Sequence, residues 1–277
     1  MNTRFNKKNV LEYRKYLINV KRFSNNTVNS YVSSIVKFFN YCEKDSSRIF
    51  MSDIDDYIEL LVIKELSFST QNNFISSAIL YFKKFHPERR FVNKLERPVN
   101  KETIPDILSV CEVSKLIDSY ENIKHKAMIA FIYYHGLRRS EAINFKLSDF
   151  DKSNGWIKIK QSKGRKDRLI GLNLKCRQIL IKYFNEYHPK NYLFNGQGNE
   201  YYSPSSMSNV LKYGLKKCKI FKNITLHSLR HSFASHLYDQ GVGLDKIQLL
   251  LGHNSEKTSK IYARLSTNIL SQIQLAS

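Results

Sequence analysis

Several features common in other proteins are missing from this sequence, and each absence narrows the class of protein. No apolar run approaches the roughly 20 residues that a membrane-spanning helix needs, and the N-terminal stretch lacks the apolar segment of a signal peptide. The four cysteines, Cys42, Cys111, Cys176 and Cys218, are widely separated and form no CxxC pair. The sequence therefore indicates neither a zinc cluster nor a disulfide framework, and we expect a cytoplasmic protein with reduced thiols.

Acidic residues are scarce relative to basic ones. The 277 residues include 24 aspartates and glutamates against 45 lysines and arginines, which gives a formal net charge of +21 and a pI near 9.7. Such an excess attracts polyanions. Because the basic residues are spread over both halves of the chain rather than concentrated in one amphipathic segment, we expect nucleic acid as the partner rather than a membrane surface.

A polar, charged stretch from about residue 86 to 106 divides the chain. It is punctuated by proline and shows neither a helical nor an alternating apolar pattern. Beyond it, Ser109 and Glu112 form a capping box of the S-x-x-E type, which predicts the start of a new helix. The sequence therefore predicts a helical domain at 1–88, a linker at 89–106 and a second domain at 107–277.

The first domain contains a faint internal repeat. Five positions recur with a constant offset of 43, so that Ser24, Thr27, Tyr31, Phe38 and Phe39 correspond to Ser67, Thr70, Phe74, Tyr81 and Phe82. In each copy small polar residues begin a helix and aromatic residues follow on one face, as two ordinary packed amphipathic helices would also show. Helix N-termini offer donors to phosphate. The candidate DNA contacts here are Asn25, Asn26, Thr27, Asn72 and Asn73, with Lys21 and Arg22 just before the first copy.

The second domain is predicted to be mixed. Helical patterns run over 110–121 and 123–135, and the second pattern ends at Gly136, a favourable helix stop. Two short strands, 156–159 and 168–170, each follow a stretch of turn-forming residues, 151–155 and 163–167. Helices account for the remainder, so the fold class is mainly α with a small antiparallel β-sheet.

An ordered set of polar motifs lies in this second domain. They are Gly136-Leu137-Arg138-Arg139-Ser140-Glu141, Ser162-Lys163-Gly164, His227-Ser228-Leu229-Arg230 and Leu251-Gly252-His253, followed by Tyr262. Two arginines, a lysine, two histidines and a tyrosine are the groups needed for a phenol to attack a phosphodiester without a metal. Guanidinium groups aimed at the non-bridging oxygens stabilise the charge that develops there.

This order and spacing resemble the tyrosine recombinases, the family of phage integrases and chromosome-dimer resolvases. Each motif alone is common, but all five in this order are specific, and the resemblance covers nearly the whole chain. It implies a helical domain that clasps the face of DNA opposite an α+β catalytic domain. We expect the simpler two-domain type, without the extra N-terminal arm-binding module of large phage integrases. Both a mobile-element integrase and a dimer resolvase fit this pattern.

The resemblance implies a role for each motif residue in the chemistry of the phosphate. Arg138 and Arg230 are expected to bind it and Glu141 to orient Arg138 or a histidine, with a surface salt bridge between Arg138 and Glu141 as the alternative. Lys163 is expected to protonate the leaving 5′ oxygen, and Lys166 is the rival on the same turn. The residues expected to contact DNA around this centre are Arg139, Lys166 and Arg168.

The remaining motif residues are expected to activate and carry the nucleophile. A phenol of pKa ~10 is ionised only about one part in a thousand at neutral pH, a shortfall of roughly 4 kcal/mol, and His227 and His253 are expected to help remove its proton or to bind the phosphate. His227 and His231 are four residues apart, a spacing that also occurs in metal-binding helices. No HExxH pattern accompanies them, and no metal site is predicted. His231 and His236 are expected to pack or to lie near DNA. Tyr262 is the predicted nucleophile.

The predicted reaction is a transesterification that needs no cofactor. Tyr262 attacks the phosphate, forms a 3′-phosphotyrosyl bond and frees a 5′ hydroxyl, and the 5′ hydroxyl of a partner strand then reverses the step. The partners implied are double-stranded DNA with a specific recombination site and further copies of the chain, at the nucleoid. A type IB topoisomerase-like nicking-closing enzyme and a non-catalytic DNA-binding protein of the same fold are the alternatives.

The segment after Tyr262 is a candidate assembly element. Leu265, Ile269, Leu270 and Ile273 fall on one helical face. So short a helix is not stable alone and must bury that face. In the family such a tail docks on a neighbouring protomer, so we expect docking in trans within a tetramer on DNA, with packing against its own domain as the alternative.

Overall fold

The computed structural model describes residues 7–89, 95–98, 105–151, 155–160, 167–196 and 201–252. The chain forms two compact units, Met1–Glu102 and Thr103–Ser277. The boundary between them falls inside the stretch 89–106 that the sequence marks as a linker. Within the described ranges, no helix combines the length and the apolar character needed to cross a membrane.

The first unit is built from two helical hairpins of matching size. The first hairpin comprises α1 (Lys7–Asn19) and α2 (Asn25–Cys42), and the second comprises α3 (Met51–Ile63) and α4 (Phe68–Phe85). Each pairs a helix of 13 residues with one of 18. A short 3-10 helix, Ser46–Arg48, lies between the hairpins.

The internal repeat of the sequence is the repeat of these long helices. α2 and α4 begin at Asn25 and Phe68, an offset of 43. Their N-cap serines, Ser24 and Ser67, each accept a hydrogen bond at 3.3 Å from the backbone N–H of the threonine three residues later. The side-chain amide of Asn73 donates to the hydroxyl of Ser30, its counterpart in the other copy, at 2.7 Å. The two copies therefore contact each other through equivalent positions.

Aromatic side chains fill the space between the hairpins. The rings of Phe38, Tyr57 and Phe74 lie 4.7–5.3 Å apart, centre to centre. The hydroxyl of the buried Tyr13 donates to the carbonyl oxygen of Ser77 at 2.8 Å, which satisfies the one polar atom that this ring brings into the core. Each such ring removes about 150–250 Å² from water, so these aromatics supply much of the stability of a small helical unit.

The second unit is α+β. Its helices are α5 (Val110–Asp118), α6 (Ile123–Tyr134), α7 (Arg139–Ile143), α8 (Leu174–Tyr187), α9 (Pro204–Lys217), α10 (Leu226–Asp239) and α11 (Leu244–Leu251). Its strands are β1 (Phe150–Asp151), β2 (Trp156–Ile159) and β3 (Arg168–Gly171), hydrogen-bonded in that order into an antiparallel sheet. The predicted fold class, mainly α with a small antiparallel sheet, is confirmed.

α6 is the central helix of the second unit. Residues Ala127–Tyr133 are all buried, and a helix that is apolar on every side must be surrounded by protein. α8 and α10 pack against it, and the ring of Phe131 lies 5.0 Å from that of Phe145 and 5.9 Å from that of Phe194. The packing fixes the C-terminal end of α6, where the polar motifs begin.

The sheet alternates between inward and outward side chains. Ile157 and Ile159 of β2 are buried, and they pair with Ile170 and Arg168 of β3. An arginine thus occupies an inward position beside three isoleucines. The sequence predicts β2 with the observed bounds and β3 one residue short, but it assigns Asp151 to a turn. The structure places Asp151 in β1, because a strand of two residues has no alternation to read.

Candidate active site

The end of α6 positions the first arginine motif. Gly136 has φ of +57°, and the N–H groups of Gly136 and Leu137 bond back to the last carbonyls of α6 at 3.1 and 2.9 Å. This is the Schellman arrangement that ends a helix at a left-handed glycine. The chain turns there, so that Arg138 becomes the N-cap of α7 and Glu141 lies in its first turn.

Gly136 also lets two other helices approach this turn closely. A Cβ at this position would lie 2.5 Å from Cδ1 of Phe233 on α10 and 2.6 Å from Cδ2 of Leu251 on α11. No other residue fits, because both the positive φ and the available space require glycine. The glycine therefore brings together the ends of α6 and α11 and the middle of α10.

Glu141 is the centre of an arginine cluster, which we define as Arg138, Arg168 and Arg230 around this carboxylate. Arg138 donates to it from Nη1 at 2.7 Å and from its backbone N–H at 2.9 Å. Arg168 donates from both Nη atoms, at 3.0 and 2.8 Å. Nη1 of Arg230 lies 3.7 Å from Oε2. One carboxylate thus meets three guanidinium groups, which leaves the arginine cluster with a net positive charge.

The arginines keep Glu141 ionised. Burial acts to raise the pKa of Glu141, but the hydrogen bonds and the charge of Arg168, together with the hydrogen bonds from Arg138, bring that pKa down to about 2. The carboxylate is therefore charged at any ordinary pH and has no proton to give. Its chemistry is to orient guanidinium groups.

Arg138 lies at the outer edge of the arginine cluster. Its side chain is 22% exposed, and besides Glu141 it contacts the carbonyl oxygen of Gly252, which accepts from Nη2 at 3.2 Å. Gly252 ends α11 at φ +63°. The salt bridge with Glu141 that the sequence left as an alternative is present, and it fixes a guanidinium that still faces solvent in part.

Arg230 lies at the inner side of the arginine cluster and is fully buried. Its Nη1 donates to the carbonyl oxygen of Gly136 at 2.7 Å and its Nη2 to that of Leu251 at 2.6 Å. Leu251 is the last residue of α11, where the helix dipole places partial negative charge, and Gly136 lies in the turn that follows α6. Arg230 therefore joins the ends of two helices and is held rigidly beside Glu141.

Two histidines stand next to this cluster on α10. His227 is exposed in the first turn, and its ring centre lies 4.6 Å from that of His231. Partial desolvation and the charges of Arg230 and Arg138 lower the pKa of His227, so its imidazole is neutral at pH 7 and can accept a proton. His231 is buried, and its pKa is lowered to about 4, by burial first. Across the described residues, no three metal-ligating side chains of the His, Cys, Asp and Glu types are grouped.

Comparison with known proteins identifies the family. A sequence profile of the phage integrase family matches residues 98–268. The chain belongs to the phage integrase family. A second profile, the phage integrase N-terminal SAM-like domain, matches residues 9–90. A tyrosine recombinase of Thermosipho africanus (strain TCF52B) is 34% identical over 266 residues, which cover 92% of this chain and 94% of the relative.

Solved structures agree with this assignment. The crystal structure of XerA recombinase is 27% identical, with a TM-score of 0.57 over 97% of each chain. A lambda integrase tetramer bound to a Holliday junction is 18% identical and shares the fold, with a TM-score of 0.77 over 92% of this chain and 76% of that one. The chain is a tyrosine recombinase, an enzyme of site-specific DNA recombination. The predicted family, fold class and enzyme class are confirmed.

The structure brings together only part of the predicted recombinase site. Arg138, Arg230 and Glu141 meet in the arginine cluster, and His227 is within electrostatic range of both arginines. Four further predicted site residues lie outside the described residues: Lys163, Lys166, His253 and Tyr262. The predicted tail segment after Tyr262 lies outside them as well.

Some of the predicted DNA contacts of the first unit are exposed, and others are hydrogen-bonded within the unit. Lys21 and Arg22 are exposed. The hydroxyl of Thr27 lies 3.0 Å from that of its N-cap serine, and Asn73 is engaged with Ser30 in the other hairpin. Asn72 accepts a long hydrogen bond of 3.5 Å from Arg97. In the second unit Arg139 is exposed, with Nη1 3.4 Å from the hydroxyl of Ser208.

Arg168 is bound to Glu141 in the structure. The sequence predicts a DNA contact, and the structure gives Arg168 8% exposure and commits both Nη atoms to Glu141. The physical reason is its inward position in β3, where a charged side chain must be paired. The usable signal is the alternation of that strand, which places residues 168 and 170 on the same face.

His135 is a buried neighbour of the arginine motif that the motif pattern misses. Its fully buried ring bonds through Nδ1 to the carbonyl oxygen of Phe131 at 3.0 Å, and its Nε2 accepts from the backbone N–H of Asn173 at 3.2 Å. Burial lowers the pKa of His135 to about 4. This neutral imidazole links the end of α6, just before the arginine motif, to the start of α8. His236 is also buried, with Nδ1 2.8 Å from the hydroxyl of Tyr133.

Proposed function

We propose that this recombinase cuts and rejoins DNA through a covalent bond between Tyr262 and the 3′ phosphate of the cleaved strand. The observation that supports it most strongly is the convergence of Arg138 and Arg230, from motifs far apart in the chain, on one ionised carboxylate. A positively charged, preorganised pair of guanidinium groups is what a phosphodiester needs when its non-bridging oxygens gain charge.

In this proposal Arg138 meets the phosphate first. It is the member of the arginine cluster with solvent exposure, and its orientation is fixed by Glu141 and by the end of α11. Arg230 completes the clamp from the inner side. Because it is fully buried before DNA is bound, contact with the phosphate requires a local opening around it, which ties the formation of the site to DNA binding.

The proton transfers need one base and one acid. His227, whose pKa is lowered by desolvation and by Arg230 and Arg138, is neutral at pH 7 and is the described group able to take the phenol proton. Lys163 is the proposed acid that protonates the leaving 5′ oxygen, with Lys166 as the competing residue. His253 supports the same phosphate. The energy of the broken phosphodiester is kept in the phosphotyrosyl bond, so no nucleotide is consumed.

The proposed partners are a specific double-stranded site and three further copies of the chain. The lambda integrase of similar fold was solved as a tetramer on a Holliday junction, and the net charge of +21 favours DNA. We assign the tail Leu265–Leu275 to the contact between protomers, and the reaction to the nucleoid in the cytoplasm. Integration or excision of a mobile element and resolution of chromosome dimers use the same chemistry.

The experiment that tests assembly is removal of residues 267–277. A binding site is first selected from a pool of random duplexes. The truncated chain should bind one half-site with unchanged affinity, but it should lose cooperative binding to the full site and should not recombine plasmids that carry two sites. Unchanged cooperativity and recombination would mean that the tail packs on its own domain.

A further inference from the structure

Arg168 occupies an unusual place for a charged residue. β3 alternates inward and outward, and Arg168 shares the inward row with Ile170 while pairing with Ile159 of β2. Arginine is almost never buried in such a row unless it is paired. Its partner Glu141 is on α7, a different element, so the ion pair connects the sheet to the arginine motif.

The ion pair between Arg168 and Glu141 is bidentate. Its Nη1 donates to Oε1 at 3.0 Å and its Nη2 to Oε2 at 2.8 Å. The same two oxygens serve Arg138, whose Nη1 contacts Oε1 at 2.7 Å and whose backbone N–H contacts Oε2 at 2.9 Å. A planar fork that holds both oxygens fixes the plane of the carboxylate. The direction in which Glu141 holds Arg138 is therefore set by Arg168.

Arg168 also changes the electrostatics of the arginine cluster. A carboxylate 2.7 Å from Arg138, if it had no other partner, would cancel much of the positive potential that Arg138 presents to a phosphate. The charge of Arg168, held at 2.8 Å from the same carboxylate, offsets that negative charge. Arg138 then stays oriented by Glu141 and still attracts an anion.

We propose that Arg168 is a positioning residue for strand cleavage: its buried fork on Glu141 aims Arg138 and preserves the positive charge offered to the scissile phosphate. This inference rests on the proposed function of the arginine cluster. Arg168 does not itself reach the DNA. It acts through Glu141, and its loss affects the rate of the chemical step rather than the affinity for the site.

The test compares three variants of the full-length chain on a nicked suicide substrate that carries the selected site. Arg168→Met removes the charge and keeps much of the side-chain volume. Arg168→Lys keeps a charge near Glu141 but lacks the fork, and it decides the matter if Arg168→Met fails to fold. Lys158→Met is the matched control, because Lys158 lies on the neighbouring strand β2 with a half-exposed side chain paired only loosely to Asp167, at 3.3 Å.

At saturating protein, Arg168→Met should form the covalent adduct about 100-fold more slowly than the wild type, the scale of a catalytic group displaced by about 1 Å. Arg168→Lys should be slowed at least about tenfold. Half-site affinity should change less than about threefold in both. Lys158→Met should cleave at the wild-type rate when saturated. A folded Arg168→Lys protein with the wild-type cleavage rate would overturn the inference, and so would a loss confined to affinity or to melting temperature.

A substrate with sulfur in place of the 5′ bridging oxygen separates two routes of action. A thiolate leaves without a proton, so it rescues defects in the general acid and not in the phosphate clamp. Arg168→Met should show the same defect on both substrates. Rescue by sulfur would mean that Arg168 acts through the general acid Lys163, whose segment follows β2 in the sequence, contrary to the inference. If the wild type forms no adduct at all, the proposed function fails. If the wild type forms the adduct and the Arg168 variants form it at the same rate, this inference fails and the proposed function stands.

Discussion

Gly136→Ala offers the sharpest test of how the site is built. The added methyl group would lie 2.5 Å from Cδ1 of Phe233 and 2.6 Å from Cδ2 of Leu251, and the residue would have to keep φ of +57°. The left-handed conformation costs a non-glycine residue about 1–2 kcal/mol. Overpacking a well-filled site costs about 1–3 kcal/mol more. We therefore expect the free energy of unfolding to fall by about 2–5 kcal/mol.

The matched control is Gly241→Ala. Gly241 has φ of +83°, but among the described residues no atom beyond its own chain neighbours lies within 4 Å of a Cβ built there. Only the conformational cost of about 1–2 kcal/mol therefore applies. The single tryptophan of the chain, Trp156, lies in the second unit, and its fluorescence reports unfolding there. With a urea m-value of about 2 kcal/mol/M, the Gly136→Ala midpoint should fall by about 1–2.5 M. Equal losses in the two variants would refute the packing argument.

The same substitution should also impair cleavage. The carbonyl oxygen of Gly136 accepts from Nη1 of Arg230 at 2.7 Å, so a displaced turn moves Arg230 relative to Glu141. At a temperature where Gly136→Ala remains folded, its cleavage rate at saturating DNA should fall further than that of Gly241→Ala. A folded Gly136→Ala protein with full activity would show that the position of Arg230 does not depend on this turn.

Three further predictions concern the roles of individual groups. Arg138→Ala should slow cleavage by at least about 100-fold with modest loss of affinity. Lys21→Ala should instead weaken binding to all sequences and reduce the slope of log affinity against log salt by about 1. The opposite pattern in titrations and single-turnover assays would show that Arg138 serves binding and Lys21 serves cleavage. Lys163→Ala should be rescued by a 5′-bridging sulfur, and rescue of Lys166→Ala instead would move the acid to Lys166. Burial lowers the pKa of His135 and of His231 to about 4 from 6.5, so the unfolded chain binds more protons than the folded chain between these pH values. The free energy of unfolding should therefore be highest above pH 6.5. It should fall as the pH drops towards 4, by up to about 3 kcal/mol per histidine. His135→Gln should make that fall in urea midpoint shallower, and an unchanged slope would contradict the assignment to His135.

The features that the sequence predicts well are local ones. The caps at Ser24 and Ser67 and the aromatic spacing after them locate α2 and α4, because a cap and a helical face are both readable within a few residues. The end of α6 at Gly136 is readable for the same reason. The motif order indicates the family, since each motif is a short pattern at a definite place in the chain.

The features that the sequence does not predict depend on contacts between distant residues. The pairing of Arg168 with Glu141 joins residues 27 apart through a strand and a helix. The alternation of β3 places Arg168 on the inward face, but nothing local indicates its partner. The buried ring of His135 accepts a hydrogen bond from Asn173, which is 38 residues away at the start of α8. The full burial of Arg230 depends on the carbonyls that end α6 and α11, whereas its motif indicates only a phosphate ligand.

The covalent adduct formed on a nicked suicide substrate shows whether Tyr262 attacks the scissile phosphate. The Tyr262→Phe change removes only the attacking oxygen, so shape, charge and DNA affinity should be nearly unchanged. The wild type should form an adduct whose DNA-linked peptide contains Tyr262, and Tyr262→Phe should form none while binding the site normally. An adduct with Tyr262→Phe, or a wild-type adduct on a different peptide, would exclude Tyr262 as the nucleophile.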